Sequence, residues 1–156
     1  MKPGICPGLA IRFALLYLTV AGLCHNSQAQ SEIPFRLLPN NLSVVSLMAG
    51  EDGPLDFLID TGSNNTTVNP GLARRLSLVP QSRVQEATLT GIQTLILSSI
   101  PSLGTGTTRV VNFPVLIQDL SELQKIDSHI EGVLGQDFLV HFNYLLDYRK
   151  RSVRIE

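Results

Sequence analysis

The 156-residue sequence predicts an all-β fold with one or two short helices. Beyond the first 30 residues, short apolar runs alternate with turn residues such as Gly, Pro, Asn and Asp, which is typical of strands joined by tight turns. Only two stretches, near residues 70–76 and 137–142, carry the signals that start a helix. A strand-rich domain is therefore expected.

The first 29 residues have the pattern of a secretory signal peptide. Lys2 and Arg12 supply positive charge, 13–24 is an apolar run, and Ser27-Gln28-Ala29 places small residues at the −3 and −1 positions of a cleavage site. The run is shorter than the roughly 20 apolar residues that span a bilayer. We expect cleavage before Gln30 and a secreted or periplasmic product; a retained membrane anchor is the alternative.

The remaining residues, 30–156, are enough for one domain with its own core. Both cysteines, Cys6 and Cys24, lie in the signal segment, so no disulfide is expected in the mature domain. The net charge of −1 argues against a nucleic-acid partner. His129 and His141 have no cluster of ligands at metal-binding spacing, so we predict structural roles for them and neither a metal nor a cofactor.

The first strands form a hairpin that leads into an apolar segment. The proline-rich stretch 33–39 suggests an edge strand or an extended arm. Leu42 to Met48 is predicted to be a strand, with Val45 and Leu47 on one face. A turn at 49–54 then leads into the apolar strand that ends at Ile59.

The later elements are a short helix and a series of strands. Asn69-Pro70 predicts a helix cap followed by a helix over 71–76. Strands are predicted at 84–89, 94–97 and 110–117, with Gly104-Thr105-Gly106 as a loop, and 119–128 is predicted to be a loop or helical turn. Asp137 is expected to cap a helix through Phe142, and two strands joined by an exposed turn at Arg149-Lys150-Arg151 finish the chain.

The residues with catalytic potential follow the strand that ends at Ile59. Phe57-Leu58-Ile59 is apolar, and Asp60-Thr61-Gly62-Ser63 is a polar turn directly after it. A strand end holds a carboxylate rigidly, and a glycine lets backbone N–H groups approach it. The alternative is that Asp60 simply opens a turn, as Asp often does.

A second segment, Ile130-Glu131-Gly132-Val133-Leu134-Gly135, favours the catalytic interpretation. An apolar strand with Asp-Thr-Gly and a later apolar-apolar-Gly is the paired signature of pepsin-type aspartic proteases. From about Val44 to its end the chain resembles the single-lobe, retropepsin-like (retroviral-type) branch, as a secreted bacterial-type member. This resemblance implies a single-lobe closed β-barrel, with Gly132, Val133, Leu134 and Gly135 in a psi-shaped crossing beside the Asp loop.

The resemblance also implies an aspartic endopeptidase, a hydrolase in which two carboxylates activate a water. The chain has no second Asp-Thr-Gly or Asp-Ser-Gly, so a homodimer would bring Asp60 from each copy together. In such a dimer the Thr61 hydroxyl would reach the partner's backbone, and the Gly62 N–H would bond the carboxylate. Ser63 is expected to donate to the outer oxygen of Asp60 and to keep the acid optimum low.

The resemblance leaves two regions open. Thr90-Gly91-Ile92-Gln93 is the candidate tip of a flap over a peptide or protein substrate; an ordinary surface hairpin is the alternative. Gln136 stands where retroviral members carry an Arg that pairs with an acid, so neutral contacts must replace that pair.

A secreted domain that binds peptides or assembles without cleaving them is the alternative function, and stable membrane insertion of the mature chain is not expected.

Overall fold

The computed structural model describes residues 31–88 and 91–155. The predicted signal peptide lies outside this part of the chain, as do Leu89 of a predicted strand and Thr90 of the candidate flap tip. The boundary between signal segment and domain therefore stays a prediction. Among the described residues, no helix has the length and apolar character needed to cross a membrane.

Ten strands and three short α-helices make up the described part of the chain. The strands are β1 Ser31–Leu38, β2 Leu42–Ala49, β3 Asp52–Ile59, β4 Thr67–Val68, β5 Ser82–Thr88, β6 Gly91–Thr105, β7 Thr108–Ile117, β8 Ile130–Leu134, β9 Tyr144–Asp147 and β10 Ser152–Ile155. The helices are α1 Pro70–Arg75, α2 Ser121–Gln124 and α3 Gln136–Leu139, and a 3₁₀ turn covers Pro39–Asn41. The predicted all-β class is confirmed.

Six of these strands close into a barrel in the order β6-β7-β4-β8-β3-β2. The ring closes because β2 pairs back onto β6 through Met48 with Gly104 and Ala49 with Leu103. Strand β5 extends the sheet beyond β6, and β1, β10 and β9 extend it beyond β2. Two pairs in the ring, β3 with β8 and β4 with β7, are parallel. The predicted closed barrel is confirmed.

Two apolar clusters bury both faces of the central strands. Phe57 belongs to the main core, and its neighbour Leu58 points to a second cluster with Val44, Ile130 and Val133. Successive residues of a strand face opposite sides, so β3 has apolar contacts on both. Burial of this kind holds the strand rigidly up to Ile59, immediately before Asp60.

Two short elements agree with the prediction in detail. The Asn69 side chain accepts a hydrogen bond from the Leu72 N–H at 2.7 Å, and Pro70 is the first residue of α1. The basic run Arg149-Lys150-Arg151 forms the exposed turn between β9 and β10. The Asn69 side chain thus satisfies the Leu72 N–H, a backbone donor that has no partner within the first helical turn.

The expectation of an edge strand or arm at the start is wrong, because β1 lies between β10 and β2. Its first half pairs with β10 and its second half with β2, so each half has one side without a strand partner in the part of the chain that the structure describes. Phe35 donates its N–H to the Arg151 carbonyl at 2.9 Å. The nitrogen of Pro34, one residue earlier, therefore faces the unpaired side, where a missing N–H costs no ladder bond.

The strand predicted at 94–97 is too short, because β6 continues to Thr105 and includes Gly104 of the predicted loop. Ser98 and Ser102 are buried in this strand. The ladder with β7 passes from Ile100 directly to Ser102 and skips Pro101. Asn112, on the opposite side of this gap, has a φ of 50°. A local irregularity thus carries a proline within a long strand.

Candidate active site

Asp60 is held by a parallel pairing of β3 and β8. Phe57 pairs with Gly132 and Ile59 with Leu134, and the ladder ends with the Asp60 N–H donating to the Leu134 carbonyl at 3.0 Å. The backbone of Asp60 is therefore anchored although its side chain is exposed. The two segments that the sequence pairs as a signature are adjacent strands in the fold.

The carboxylate of Asp60 accepts a hydrogen bond from the Gly62 N–H at 2.9 Å, on Oδ1. This contact was predicted and is confirmed. A Cβ at position 62 would lie 3.3 Å from the same oxygen, a tight contact, so a glycine suits this approach. The result is a carboxylate fixed by one backbone donor at the end of a buried strand.

The expected bond from Ser63 to Asp60 is wrong. The Ser63 hydroxyl donates to the Asn65 carbonyl at 2.9 Å, and its N–H donates to the Asp60 carbonyl at 3.2 Å. A hydroxyl has one proton to donate, so Ser63 stabilises the turn and not the charged carboxylate. The expectation that Ser63 keeps the acid optimum low therefore has no basis in this geometry.

The chain crossing requires glycine at two positions of the second segment. A Cβ on Gly135 would lie 2.6 Å from the Asn65 carbonyl carbon and 3.0 Å from the Thr66 nitrogen. A Cβ on Gly132 would overlap the Phe57 ring and would lie 2.7 Å from the Thr67 carbonyl oxygen. These separations are below van der Waals contact, so the predicted meeting of the two backbones at Gly135 is confirmed.

A polar network behind the Asp loop was missed by the sequence analysis. The Asp137 carboxylate accepts from the Thr66 N–H at 2.9 Å, the Thr66 hydroxyl at 2.6 Å and the Phe138 N–H at 2.9 Å. The Thr66 oxygen in turn accepts from the Gly135 N–H at 3.0 Å. Asp137 is therefore not the cap of α3, which is Gly135, and the helix ends at Leu139 instead of Phe142. The position of Asp137 before an apolar run predicted a helix cap, so its hydrogen bonds with Thr66 were not indicated by the sequence.

Gln136 makes the neutral contacts that were expected in place of an arginine pair. Its side-chain amide donates to the Thr61 carbonyl at 3.1 Å and approaches the Tyr144 hydroxyl at 3.3 Å. Its backbone N–H donates to the Ser63 carbonyl at 2.9 Å. Gln136 therefore links the Asp loop to β9. The contact predicted for the Thr61 hydroxyl involves a second chain and stays a prediction.

A cleft of about 760 Å³ opens beside Asp60. The Asp loop, the β5 strand and the segment around α2 all contribute to it, with Asp60, Gly62, Ser63, Asn64, Thr67, Glu86, Ala87, Gln118, Asp119, Leu120, Glu122, Leu123 and Val133 as lining residues. Its volume is in the range of small-molecule binding pockets.

The β5–β6 hairpin is bound to the Asp loop at its β5 strand. The Asn65 amide donates to the Glu86 carboxylate at 2.8 Å, and Ala87 also lines the cleft. Gly91 and Ile92, predicted at the flap tip, already belong to β6, where Gly91 pairs with Thr88. The side chain of Ile92 is 73% exposed. The predicted hairpin thus adjoins the cleft, but the described part of its predicted tip is strand.

The chain belongs to the aspartyl protease family, whose model matches residues 45–138. Among solved structures, a retropepsin-like aspartic protease from Rickettsia conorii is similar with 15% identity and a TM-score of 0.54, covering 81% of this chain and 88% of that one. The retroviral protease-like domain of Ddi1 from Leishmania major matches with 13% identity and a TM-score of 0.43 over the same shares. No curated protein sequence matches the chain. The first of these similarities supports the single-lobe barrel.

Proposed function

We propose that this chain is an aspartic endopeptidase whose active site forms from the Asp60 carboxylates of two copies. The observation that carries the proposal is the Asp60 side chain, exposed in a cleft at the end of a buried strand and held by the Gly62 N–H at 2.9 Å. Membership of the aspartyl protease family supports the same chemistry. Peptides or proteins are the proposed substrates.

The reaction uses one proton shared by two carboxylates. The ionised Asp60 takes a proton from the attacking water, while the protonated Asp60 of the second copy donates a hydrogen bond to the scissile carbonyl. The tetrahedral intermediate then collapses, and a carboxyl proton passes to the leaving amine. Two carboxylates about 3 Å apart do not ionise independently, so the rate should have a bell-shaped profile on the acid side of neutrality.

The homodimer is proposed because a single chain offers one Asp-Thr-Gly loop. The Asp loop is exposed, so it is accessible to a second copy. Strand β9 ends the sheet order among the described residues, and Tyr144 on this strand contacts the Gln136 that holds the loop. A second copy that associates near this edge would therefore lie close to Asp60.

The test compares the parent with Asp60→Asn on a denatured protein at acid pH. The change keeps the size of the side chain and removes the acid, so cleavage should stop while folding and dimerisation persist. Asp52→Asn is the matched control, because it is the same change at an Asp that lies outside the cleft, in an exposed pair with Arg75. A statine-type transition-state mimic should block the parent. Equal cleavage by Asp60→Asn would refute the proposal, and peptide binding without cleavage by the parent would support the non-catalytic alternative.

We also propose that residues 1–29 are removed on export and that the 30–156 domain acts as a secreted or periplasmic, bacterial-type member. The charged start, the apolar run and the site at Ser27-Gln28-Ala29 support this. Mass spectrometry of exported protein should give an N-terminus near Gln30. An intact Met1 on the exported chain would contradict it.

A further inference from the structure

The wall of the cleft beside Asp60 carries three further carboxylates and no Lys or Arg among its described residues. Glu86 lies on β5, Asp119 lies just before α2, and Glu122 lies in the first turn of α2. A cleft with walls of one charge sign concentrates ligands of the opposite sign. The three carboxylates differ, however, in what already contacts them.

Two of the three are occupied by neighbours. Asp119 accepts hydrogen bonds from both the Ser121 N–H and the Ser121 hydroxyl, at 3.0 and 3.1 Å. Glu122 pairs with Lys125 at 2.6 Å, and both side chains are exposed. Neither residue therefore offers an unneutralised, partly desolvated charge to a substrate.

Glu86 differs because its side chain is partly buried, whereas Asp119 and Glu122 are exposed. It accepts from the Asn65 amide at 2.8 Å, and it is partly buried. Within residues 31–88 and 91–155, no Lys or Arg nitrogen lies at ion-pair distance from its carboxylate. The charge of Glu86 is thus uncompensated in a cleft where it is partly shielded from water.

The bond to Asn65 also fixes where this charge lies relative to the catalytic loop. Asn65 is five residues beyond Asp60, and its neighbour Thr66 is fully buried. A carboxylate held in position loses less side-chain entropy when it binds a cation than a free surface glutamate does. A fixed, partly desolvated carboxylate forms a stronger bond with an ammonium or guanidinium group than an exposed one.

We propose that Glu86 is a specificity-determining residue that selects peptide substrates with a Lys or Arg side chain near the scissile bond. This inference rests on the proposed function, because it names the substrate class of the same site. In a symmetric dimer each copy supplies one Glu86, so a basic side chain is accepted on either side of the cleaved bond.

The experiment measures kcat/KM at pH 6 for matched peptides that carry Lys, Gln or Glu at one position beside the scissile bond. The parent should favour Lys over Gln by about tenfold and reject Glu, and the preference should shrink as NaCl is raised from 0.05 to 1 M. Glu86→Gln keeps an oxygen that can accept from Asn65 and removes only the charge. For Glu86→Gln, the ratio of kcat/KM for the Lys peptide to kcat/KM for the Gln peptide should fall to about two or less.

Glu51→Gln is the control, since it removes the same charge from an exposed turn outside the cleft. It should keep the parent's ratio. A parent ratio near one, an unchanged ratio in Glu86→Gln, or an equal loss in Glu51→Gln would each overturn the inference.

A binding measurement separates this inference from the proposed function. Fluorescence anisotropy of the labelled peptides with Asp60→Asn, and with Asp60→Asn combined with Glu86→Gln, needs no cleavage. If no peptide is cleaved by the parent but the Lys peptide binds in a Glu86-dependent manner, the protease proposal fails and the basic preference stands. If neither cleavage nor preferential binding occurs, both fail.

Discussion

Replacing Asp137 with Asn should destabilise the domain, because this carboxylate accepts three hydrogen bonds behind the Asp loop. Three donors converge on this side chain, two of them from the fully buried Thr66 and one from Phe138. The Thr66 N–H bonds one carboxylate oxygen, and the other two donors bond the second oxygen. An Asn side chain has a single acceptor oxygen and cannot satisfy both sets.

The magnitude follows from the donor that is left without a partner. If the Asn oxygen accepts from the Thr66 hydroxyl and the Phe138 N–H, the Asn NH₂ group faces the Thr66 N–H. Both groups are donors, so no hydrogen bond forms between them. A buried, unsatisfied donor costs about 1–3 kcal/mol, and bonds to a charged acceptor are stronger than bonds to a neutral one. We therefore expect a loss of about 2–3 kcal/mol in the free energy of unfolding.

Urea unfolding at a fixed protein concentration measures this loss. With a slope of about 2 kcal/mol per molar, the midpoint of Asp137→Asn should fall by about 1–1.5 M. Asp119→Asn is the matched control, because Asp119 accepts two hydrogen bonds from a near neighbour but is exposed, and its midpoint should move by less than about 0.5 M. A midpoint for Asp137→Asn within the error of the parent would refute the assignment of a structural network to this carboxylate.

Three further predictions concern the crossing, the acid stability and the assembly. Gly135→Ala should give little folded protein or lose several kcal/mol, because its Cβ would lie 2.6 Å from the Asn65 backbone; a parent-like circular dichroism melting curve would contradict the crossing. The backbone N–H of His129, together with the His129 side chain and Arg36, keeps the pKa of Asp127 below its ordinary value. A depressed pKa stabilises the fold above the unfolded value of about 3.9 and ceases to do so as the pH falls through the folded value. The parent should thus exceed Asp127→Asn in urea resistance at pH 6 and approach it near pH 3, and a gap that does not change with pH would count against this. Finally, specific activity should decrease on dilution as sedimentation shows monomer, and constant activity in monomer alone would place the second carboxylate within the chain.

The closed barrel was predicted from the family resemblance, whereas the catalytic strand and the Asp loop were predictable because their signals are local. Phe57, Leu58 and Ile59 are consecutive apolar residues, so a strand formed from them has apolar side chains on both faces and is expected to be buried. An Asp follows them directly, so an exposed carboxylate is expected where the buried strand ends. Asn69-Pro70 specifies a cap within three residues. The place of Gly135 in the crossing was implied by the family resemblance, and one close backbone approach explains why this residue is a glycine.

What the sequence did not reveal depends on partners distant in the chain. Asp137 follows a glycine and precedes an apolar run, so its local pattern favours a cap, whereas its contact with Thr66 spans 71 residues. Strand β6 passes through Pro101, which local rules treat as an interruption, and the ladder with β7 is irregular there, opposite Asn112 with its φ of 50°. Ser63 could bond either Asp60 or Asn65, and the turn geometry decides between them.

The most direct test of the central claim, one active site made from two copies of Asp60, is to mix parent and Asp60→Asn chains under conditions that allow subunit exchange. If a heterodimer with one carboxylate is inactive, parent activity should fall to about half at a 1:1 ratio and to about a tenth at a ninefold excess of Asp60→Asn. Asp52→Asn mixed at the same ratios should not inhibit. Activity proportional to the parent concentration at every ratio, with exchange verified by native mass spectrometry, would contradict the shared active site.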